Sequence, residues 1–253
     1  MRLEVSSKVL SNSPKSAPEF NPASSIPQVK ELSQVSNTAA KLVSEFVGMA
    51  LLACVVVGSG IMGTNLSTDP GVALLINTIS TIFALAILIL ILGPISGAHF
   101  NPAVTLVSLA NKTMQAKDAL AYIGVQVAGA ITGAIVANAM FDLAVIQISE
   151  TDRVTAGKLL GEVIATAGLI IVIGVLIARA QTSLIPIVVA GWIGSAYFFT
   201  SSTSFANPAI TIGRVFSDTF AGIAPSSVLP FIAAQLIGAA LGMFVVKAVT
   251  KAS

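Results

Sequence analysis

Charged residues are scarce in this chain. Only 9% of its 253 residues are Asp, Glu, Lys or Arg, whereas 55% are hydrophobic. A soluble domain carries about 25% charged residues, so this chain has too few to cover a surface in water. Its 13 basic and 11 acidic residues give a net charge of +2, which leaves no basic patch for nucleic acid. The composition predicts a polytopic, all-α membrane protein.

Groups that could carry covalent or metal chemistry are also few. One cysteine, Cys54, allows no intramolecular disulfide, and one histidine, His99, offers little to a metal site. The chain has no cluster of acidic residues or cysteines that could supply acid–base or metal chemistry near a membrane face. We therefore expect no catalytic residue, no metal site and no cofactor, and we predict that the chain is not an enzyme.

Long stretches without a charged residue define the membrane topology. The stretches 46–68, 119–141, 163–178 and 219–246 each suit one span, because a spanning helix needs about 20 apolar residues. The stretches 70–111 and 180–213 are too long for one span, and polar and helix-breaking residues interrupt them at 93–102 and 200–208. Non-helical backbone at membrane depth is tolerated only where it is buried in protein or lines a water-filled cavity. Each interruption therefore predicts a re-entrant segment, a loop followed by a half-helix.

This interpretation leaves six spans, at residues 43–62, 72–92, 119–141, 159–179, 184–200 and 228–246. If the N-terminus is cytoplasmic, all Lys and Arg residues lie on the cytoplasmic side except Arg153, Lys158 and Arg214. The positive-inside rule favours this orientation, so we expect both termini in the cytoplasm and the protein in the cell membrane. Residues 1–38 are rich in Ser, Pro and Asn and predict a disordered cytoplasmic tail before a membrane domain at 39–253.

The membrane domain contains an internal repeat. Residues 41–45 align with 158–162, residues 100–105 with 206–211, and residues 126–133 with 235–242. Each half, at about 41–141 and 158–249, holds three spans, so the second half must be inverted relative to the first. Inverted repeats place a site near the bilayer midplane, where broken helices meet.

The same tripeptide lies at the centre of both halves, as Asn101-Pro102-Ala103 and Asn207-Pro208-Ala209. Asn is a good helix N-cap, and Pro suits the first helical turn. Each tripeptide therefore predicts a half-helix whose positive dipole end points to the membrane centre. With these motifs in an inverted repeat, residues 41–249 resemble the aquaporins of the major intrinsic protein family.

The resemblance implies an aquaporin-like fold, with six transmembrane helices and two re-entrant half-helices. It implies a homotetramer in the lipid bilayer and a passive channel for water and small neutral solutes that excludes ions and protons. Asn101 and Asn207 would donate hydrogen bonds to the passing molecule. Further polar residues at membrane depth are expected to brace the loops, namely Glu45, Glu162, His99, Gln126 and Gln235.

Aquaporins select solutes at a constriction of four residues, and the corresponding positions here are Thr81, Ser195, Ser204 and Ile210. Phe83 and Tyr197 are alternatives for the two positions on spans two and five. Water-selective members carry Arg where this chain has Ile210, so we expect a wider and less polar opening. Such an opening suits glycerol-like polyols or metalloid hydroxides such as arsenous acid, and residues 204–209 resemble bacterial members linked to arsenite movement.

Two alternatives remain open from the residues. Arg214 lies on the same helical face as Ile210, one turn further on, and could replace the missing arginine; we expect it instead to meet loop carbonyls and leave the mouth open. Glu45 and Glu162 lie in apolar spans, where an ionisable group is by default a functional hypothesis. Either carboxylate could make the chain a proton-coupled secondary transporter.

Overall fold

The computed structural model describes residues 38–250. These residues form helices joined by loops, and no β-strand occurs among them. The predicted tail lies outside the described residues except for Thr38, where the first helix begins. Residues 251–253 lie outside them as well.

Eight α-helices follow one another in this part of the chain: α1 (Thr38–Leu66), α2 (Pro70–Ser96), α3 (Pro102–Ala110), α4 (Ala116–Met140), α5 (Ala156–Ala178), α6 (Ile185–Phe199), α7 (Pro208–Gly213) and α8 (Pro225–Thr250). Six of them are long and apolar enough to cross a membrane, counting the 3₁₀ turn Thr182–Leu184 together with α6. The two short helices, α3 and α7, follow the two predicted interruptions. The predicted all-α fold of six spans and two half-helices is therefore confirmed.

The breaks between spans and half-helices have local causes. At the end of α2, Gly97 takes the left-handed conformation (φ 88°), and its N–H donates to the carbonyl of Gly93 at 2.8 Å. Each half-helix then starts with a proline, Pro102 or Pro208, directly after an asparagine cap. Proline lacks an N–H, which the first helical turn does not need, so the chain restarts as a helix at these two positions.

Glycines bring the helices into close contact in the same way in both halves. A Cβ atom at Gly129 of α4 would lie 2.6 Å from the Phe46 carbonyl oxygen of α1, and one at Gly133 would clash with the next turn of that helix. In the second half, a Cβ atom at Gly242 of α8 would lie 2.5 Å from the Ala167 carbonyl oxygen of α5. Small residues let membrane helices approach to backbone contact, and here they join α1 to α4 and α5 to α8.

The outward faces of the helices carry large apolar side chains. Phe83, Leu120, Leu229 and Phe244 are 64% to 76% exposed in the isolated chain. An apolar surface of this extent is unusual on a monomer in water, but it suits the hydrocarbon core of a bilayer. Together with the six spans, it identifies a multi-pass integral membrane protein.

The close contact at Gly133 can be tested with a single methyl group. We expect Gly133→Ala to destabilise the protein by about 1–3 kcal/mol, because the added atom overpacks the contact with the backbone of α1. Gly124→Ala, on the exposed side of the same helix, is the matched control, since a Cβ there would meet nothing within 4 Å. Thermal unfolding in detergent measures both variants, and equal melting temperatures would contradict the packing argument.

Candidate functional site

The two loops that precede α3 and α7 share one unusual backbone conformation. Three residues in each loop have φ angles between 43° and 88°; in matching order they are Gly97, Ala98 and Phe100, then Thr203, Ser204 and Ala206. All but one are non-glycine residues, for which this region costs about 1–3 kcal/mol each. Such loops persist only if other parts of the structure hold them in place.

The Glu45 carboxylate holds the first loop. One of its oxygens accepts from the His99 N–H at 2.9 Å and the Ser96 hydroxyl at 2.7 Å. The other accepts from the Phe100 N–H and from Gln126 Nε2, each at 2.8 Å. Hydrogen bonds to a charged group contribute about 1.5–3 kcal/mol each, so these four offset the backbone strain of the loop.

The Glu162 carboxylate occupies the equivalent place in the second half. Its two oxygens accept from the Phe205 N–H at 2.9 Å and the Ala206 N–H at 2.8 Å. Gln235 Nε2 adds a third hydrogen bond at 2.7 Å. Glu45 and Glu162 are both fully buried, and neither lines the main cavity. Each carboxylate is therefore held by donors of its own half, which are N–H groups at Glu162 and N–H and O–H groups at Glu45.

The two glutamines extend this arrangement to the half-helices. Gln126 Nε2 also lies 3.1 Å from Thr105 Oγ1 of α3, and Gln235 Nε2 lies 2.9 Å from Thr211 Oγ1 of α7. His99 has no counterpart in the second half, where Phe205 takes its place. The His99 Nδ1 atom lies 3.1 Å from Thr105 Oγ1, and its ring contacts Tyr122 edge-on. The structure thus brings the five predicted brace residues to the two loops.

The two motif asparagines join the halves of the repeat. Asn101 Oδ1 accepts from the Ala103 N–H at 2.9 Å, and Asn207 Oδ1 accepts from the Ala209 N–H at 3.0 Å. These contacts cap α3 and α7. The amide nitrogens cross between the loops: Asn101 Nδ2 donates to the Ala206 carbonyl and Asn207 Nδ2 to the Phe100 carbonyl, each at 2.7 Å. No pattern in the sequence predicted this reciprocal pair, which takes one of the two hydrogens on each amide nitrogen.

A cavity of about 500 Å³ passes both asparagines. One end, which we call the Lys41 mouth, is lined by Lys41, Thr113 and Met114. Aliphatic residues of the spans line most of the wall, namely Leu52, Val56, Leu85, Ile89, Leu169, Ile173, Ile177, Val189 and Ile193. No group of three His, Cys, Asp or Glu residues that could hold a metal ion occurs in residues 38–250. The arrangement is one largely apolar cavity between two polar ends.

The other end, the Arg214 mouth, is lined by Thr81, Tyr197, Ser204, Ile210 and Arg214. Three of the four predicted constriction residues are among them, but Ser195 is not, and that prediction is wrong. Ser195 is exposed on the outer face of α6, because two residues span about 200° of a helix and place it opposite Tyr197. The Tyr197 hydroxyl lies 3.4 Å from Thr81 Oγ1. Phe83 is 64% exposed and also faces outward.

The Arg214 side chain meets a loop carbonyl, as expected, and it also lines the cavity. Its Nε–H does donate to a loop carbonyl, that of Ala221, and its guanidinium lies over the Phe205 ring, 3.4 Å from the centroid. The residue nevertheless lines the cavity and is only 4% exposed. The expected contact with a loop carbonyl is therefore present, the side chain lines the cavity as well, and the wider opening expected from Ile210 stays a prediction.

A second arginine lies near the same ring. Arg153, in the loop between α4 and α5, donates from Nε to the Gly222 carbonyl at 2.6 Å and from an Nη to the Phe220 carbonyl at 3.0 Å. Its guanidinium carbon is 5.3 Å from the Phe205 centroid. Burial lowers the pKa of Arg153, and the Glu162 carboxylate opposes that shift. Arginine nevertheless stays charged at neutral pH.

Six spans around one cavity, with two half-helices meeting inside it, define a channel-like membrane protein. Residues 31–205 match the family model described as Major intrinsic protein. Aquaglyceroporin AqpS of Rhizobium meliloti (strain 1021) is 44% identical over 201 residues, which are 79% of this chain and 85% of that protein. Aquaporin C of Dictyostelium discoideum is 30% identical over 196 residues, 71% of this chain and 70% of that one. The chain belongs to the Major intrinsic protein family.

A solved structure has the same fold. The X-ray structure of the aquaglyceroporin from Plasmodium falciparum superimposes with a TM-score of 0.66, covering 85% of this chain and 100% of that one. The two sequences are only 18% identical over this match. The similarity therefore concerns the arrangement of helices, as the predicted aquaporin-like fold requires.

The role of the carboxylates can be tested by removing their charge. In Glu45→Gln or Glu162→Gln, one carboxylate oxygen becomes an NH₂ group that faces N–H donors. We expect a loss of about 1–3 kcal/mol for each donor left without an acceptor, measured as a lower melting temperature in detergent. Glu150→Gln, on an exposed loop residue, is the control. Equal melting temperatures for the three variants would show that these carboxylates do not hold the loops.

Proposed function

We propose that this protein is a passive channel for water and small uncharged solutes, and that the cavity between the Lys41 mouth and the Arg214 mouth is its pathway. The observation that carries the proposal is the continuity of this cavity past both motif asparagines. Membership of the Major intrinsic protein family supports the same function. It also favours a channel over an enzyme.

Exclusion of ions follows from the ends of the half-helices. Asn101 and Asn207 cap α3 and α7, so both helix N-termini lie at the middle of the passage. A helix N-terminus carries a partial positive charge, and half-helix dipoles of this kind exclude cations and protons from aquaporin-type pores. A neutral molecule experiences no such barrier.

The asparagines also offer hydrogen bonds to the solute. Each amide nitrogen uses one hydrogen in the contact to the opposite loop. An amide has two, and both asparagines line the cavity, so the second hydrogen is available to a passing oxygen atom. Fixing each amide by its other hydrogen holds the donors in one orientation, which suits rapid exchange between similar neutral molecules.

The walls suggest which solutes pass. Ile210 and the aliphatic residues of the spans give the passage an apolar side, and Thr81 and Tyr197 give the Arg214 mouth hydroxyl groups. A surface of both kinds suits polyols, which have carbon on one side and hydroxyls on the other. The name aquaglyceroporin of the relative AqpS is consistent with this class. We extend the proposal to metalloid hydroxides such as arsenous acid, which are also small, neutral and rich in hydroxyls.

The contacts of the carboxylates argue against a proton-coupled transporter. Glu45 and Glu162 do not line the cavity, and both oxygens of each accept hydrogen bonds from their own loop. A proton carrier needs access to the transported solute or to water. Uptake that saturates and follows a pH gradient, and that is abolished in folded Glu45→Gln or Glu162→Gln protein, would favour the transporter instead.

We further propose a homotetramer in the cell membrane, with both termini in the cytoplasm and the channel domain at 39–253. Ten of the 13 Lys and Arg residues lie on the cytoplasmic side in this orientation, in agreement with the positive-inside rule. The Lys41 mouth then opens to the cytoplasm, and the Arg214 mouth opens outside. The assignment of residues 1–38 as a tail stays a prediction.

Stopped-flow light scattering on proteoliposomes tests the channel and its solutes. We expect water, glycerol and arsenous acid to cross faster than in empty liposomes, without dependence on a pH gradient. Ile210→Arg should lower glycerol and arsenous acid permeability by about tenfold or more and water permeability less, because pore diameter and lining donors decide selectivity. Ile210→Val, which keeps an apolar side chain, is the control. A wild-type protein that passes neither water nor glycerol would refute the proposed function.

A carboxylate at the centre of the passage should weaken the exclusion of cations. Asn207→Asp replaces the donor to the Phe100 carbonyl by a negative charge, which offsets the positive ends of α3 and α7. We expect higher proton and sodium permeability, together with lower thermal stability. Asn111→Asp, an exposed position after α3, is the matched control. If folded Asn207→Asp and Asn111→Asp proteins conduct cations equally little, the pathway does not pass this asparagine.

A further inference from the structure

The guanidinium of Arg214 has donors that the protein leaves unused. Arg214 is 4% exposed, and its Nε–H donates to the Ala221 carbonyl. Its terminal nitrogens have no hydrogen-bond acceptor among the residues that the structure describes, and they are not among the buried unpartnered atoms. Since Arg214 lines the cavity, these nitrogens face the passage. A buried cation with up to four free N–H groups thus points into the Arg214 mouth.

The position of this cation is fixed from two sides. The Phe205 ring lies under the guanidinium, 3.4 Å from its carbon atom, and a cation over an aromatic face is attracted by the ring. The Ala221 carbonyl holds the inner nitrogen. The neighbouring carbonyls of Phe220 and Gly222 hold Arg153, which faces the same ring. Three consecutive carbonyls therefore hold two arginines, and both keep their charge.

The Glu162 carboxylate, which lies in the same half as Arg214, already has its hydrogen-bond donors. Glu162 interacts electrostatically with both arginines, but its oxygens accept from Phe205, Ala206 and Gln235. It forms no hydrogen bond with either guanidinium. The Arg214 mouth consequently has a positive potential that a passing cation meets before it reaches the asparagines.

Ile210 and Arg214 line the same side of the cavity. Ile210 and Arg214 are four residues apart, so they lie on one face, about 6 Å apart along the axis at 1.5 Å per residue. Both line the cavity. Isoleucine carries no charge, so Arg214 is the cation that lines the cavity on this face.

We propose that Arg214 is the specificity-determining residue of this mouth and that it supplies, one helical turn later, the cation that position 210 lacks. Its free N–H groups lie on the same side of the cavity as Ile210, and Tyr197 lines the same end. The mouth therefore selects small neutral molecules that carry oxygen acceptors, and it repels cations. Arg153, 5.3 Å from the Phe205 centroid, adds to the same potential. This inference rests on the proposed channel function.

Two substitutions separate the charge of Arg214 from its structural contacts. Arg214→Gln retains an N–H donor at the position of Nε, so the contact with the Ala221 carbonyl can persist while the charge is lost. Arg214→Lys retains the charge. Proteoliposomes with an internal pH dye report proton entry, a sodium dye reports sodium entry, and light scattering reports water and glycerol permeability.

We expect the Gln variant to admit protons or sodium about tenfold faster than the wild type or more, since a unit charge within a few Å of the path acts strongly at low dielectric. The Lys variant, which retains the charge, should admit cations more slowly than the Gln variant does. The double variant Ile210→Arg with Arg214→Gln returns a cation to the mouth and should restore the exclusion. Cation entry in folded Arg214→Gln protein that equals that of the wild type would overturn the inference, as would equal leakage in the Gln and Lys variants.

Two further measurements keep the result unambiguous. If Arg214→Gln does not fold, butanedione, a small arginine reagent, is applied to the wild type and to Arg214→Lys. Greater cation entry in the treated wild type alone supports the inference, and an equal response of both contradicts it. Water and glycerol permeability of the untreated wild type is measured first, so a failure of the proposed channel function is seen separately from a failure of Arg214.

Discussion

Hydrogen bonds from backbone N–H groups to two buried carboxylates are the interaction on which this structure depends. Five non-glycine residues in the loops before α3 and α7 have left-handed backbone conformations, which cost energy and would relax without support. Glu45 and Glu162 each accept two N–H groups at the same two positions of their loop. The loops in turn place Asn101 and Asn207 at the centre of the passage. A carboxylate at membrane depth is expensive, and here the fixed donors compensate for its lost hydration.

The internal repeat explains both the symmetry and the asymmetry of the passage. Val104 and Ile210 occupy equivalent positions in the two half-helices, as do Ser108 and Arg214, and all four line the cavity. The two mouths therefore have the same construction but different chemistry. A serine lies where the other half has an arginine, and His99 lies where the other half has Phe205, the ring that carries this arginine. Divergence at a few paired positions suffices to give one duplicated scaffold two different ends.

The sequence was most informative where uncharged stretches and their interruptions occur in both halves of the repeat. Uncharged stretches and their interruptions predicted the six spans and both half-helices, since length and polarity decide what crosses a bilayer. Rotation about a helix axis was harder to predict. Helix α6 is apolar on every side, so its periodicity could not tell Ser195 from Tyr197, and only packing against α2 distinguishes them. The direction of the Arg214 side chain depends on the loop at 220–222, whose Ala221 carbonyl accepts from its Nε–H. No periodic pattern in the sequence predicts that contact.

The crossed contacts of the asparagines have a consequence for biogenesis. The first loop finds its carboxylate, Glu45, within the half of the chain that the ribosome makes first. Its Asn101, by contrast, pairs with the carbonyl of Ala206, and Asn207 pairs with that of Phe100. Until the second loop has been made, the Asn101 amide therefore lacks its partner in that loop. We expect the crossed pair to close only after the second half has folded.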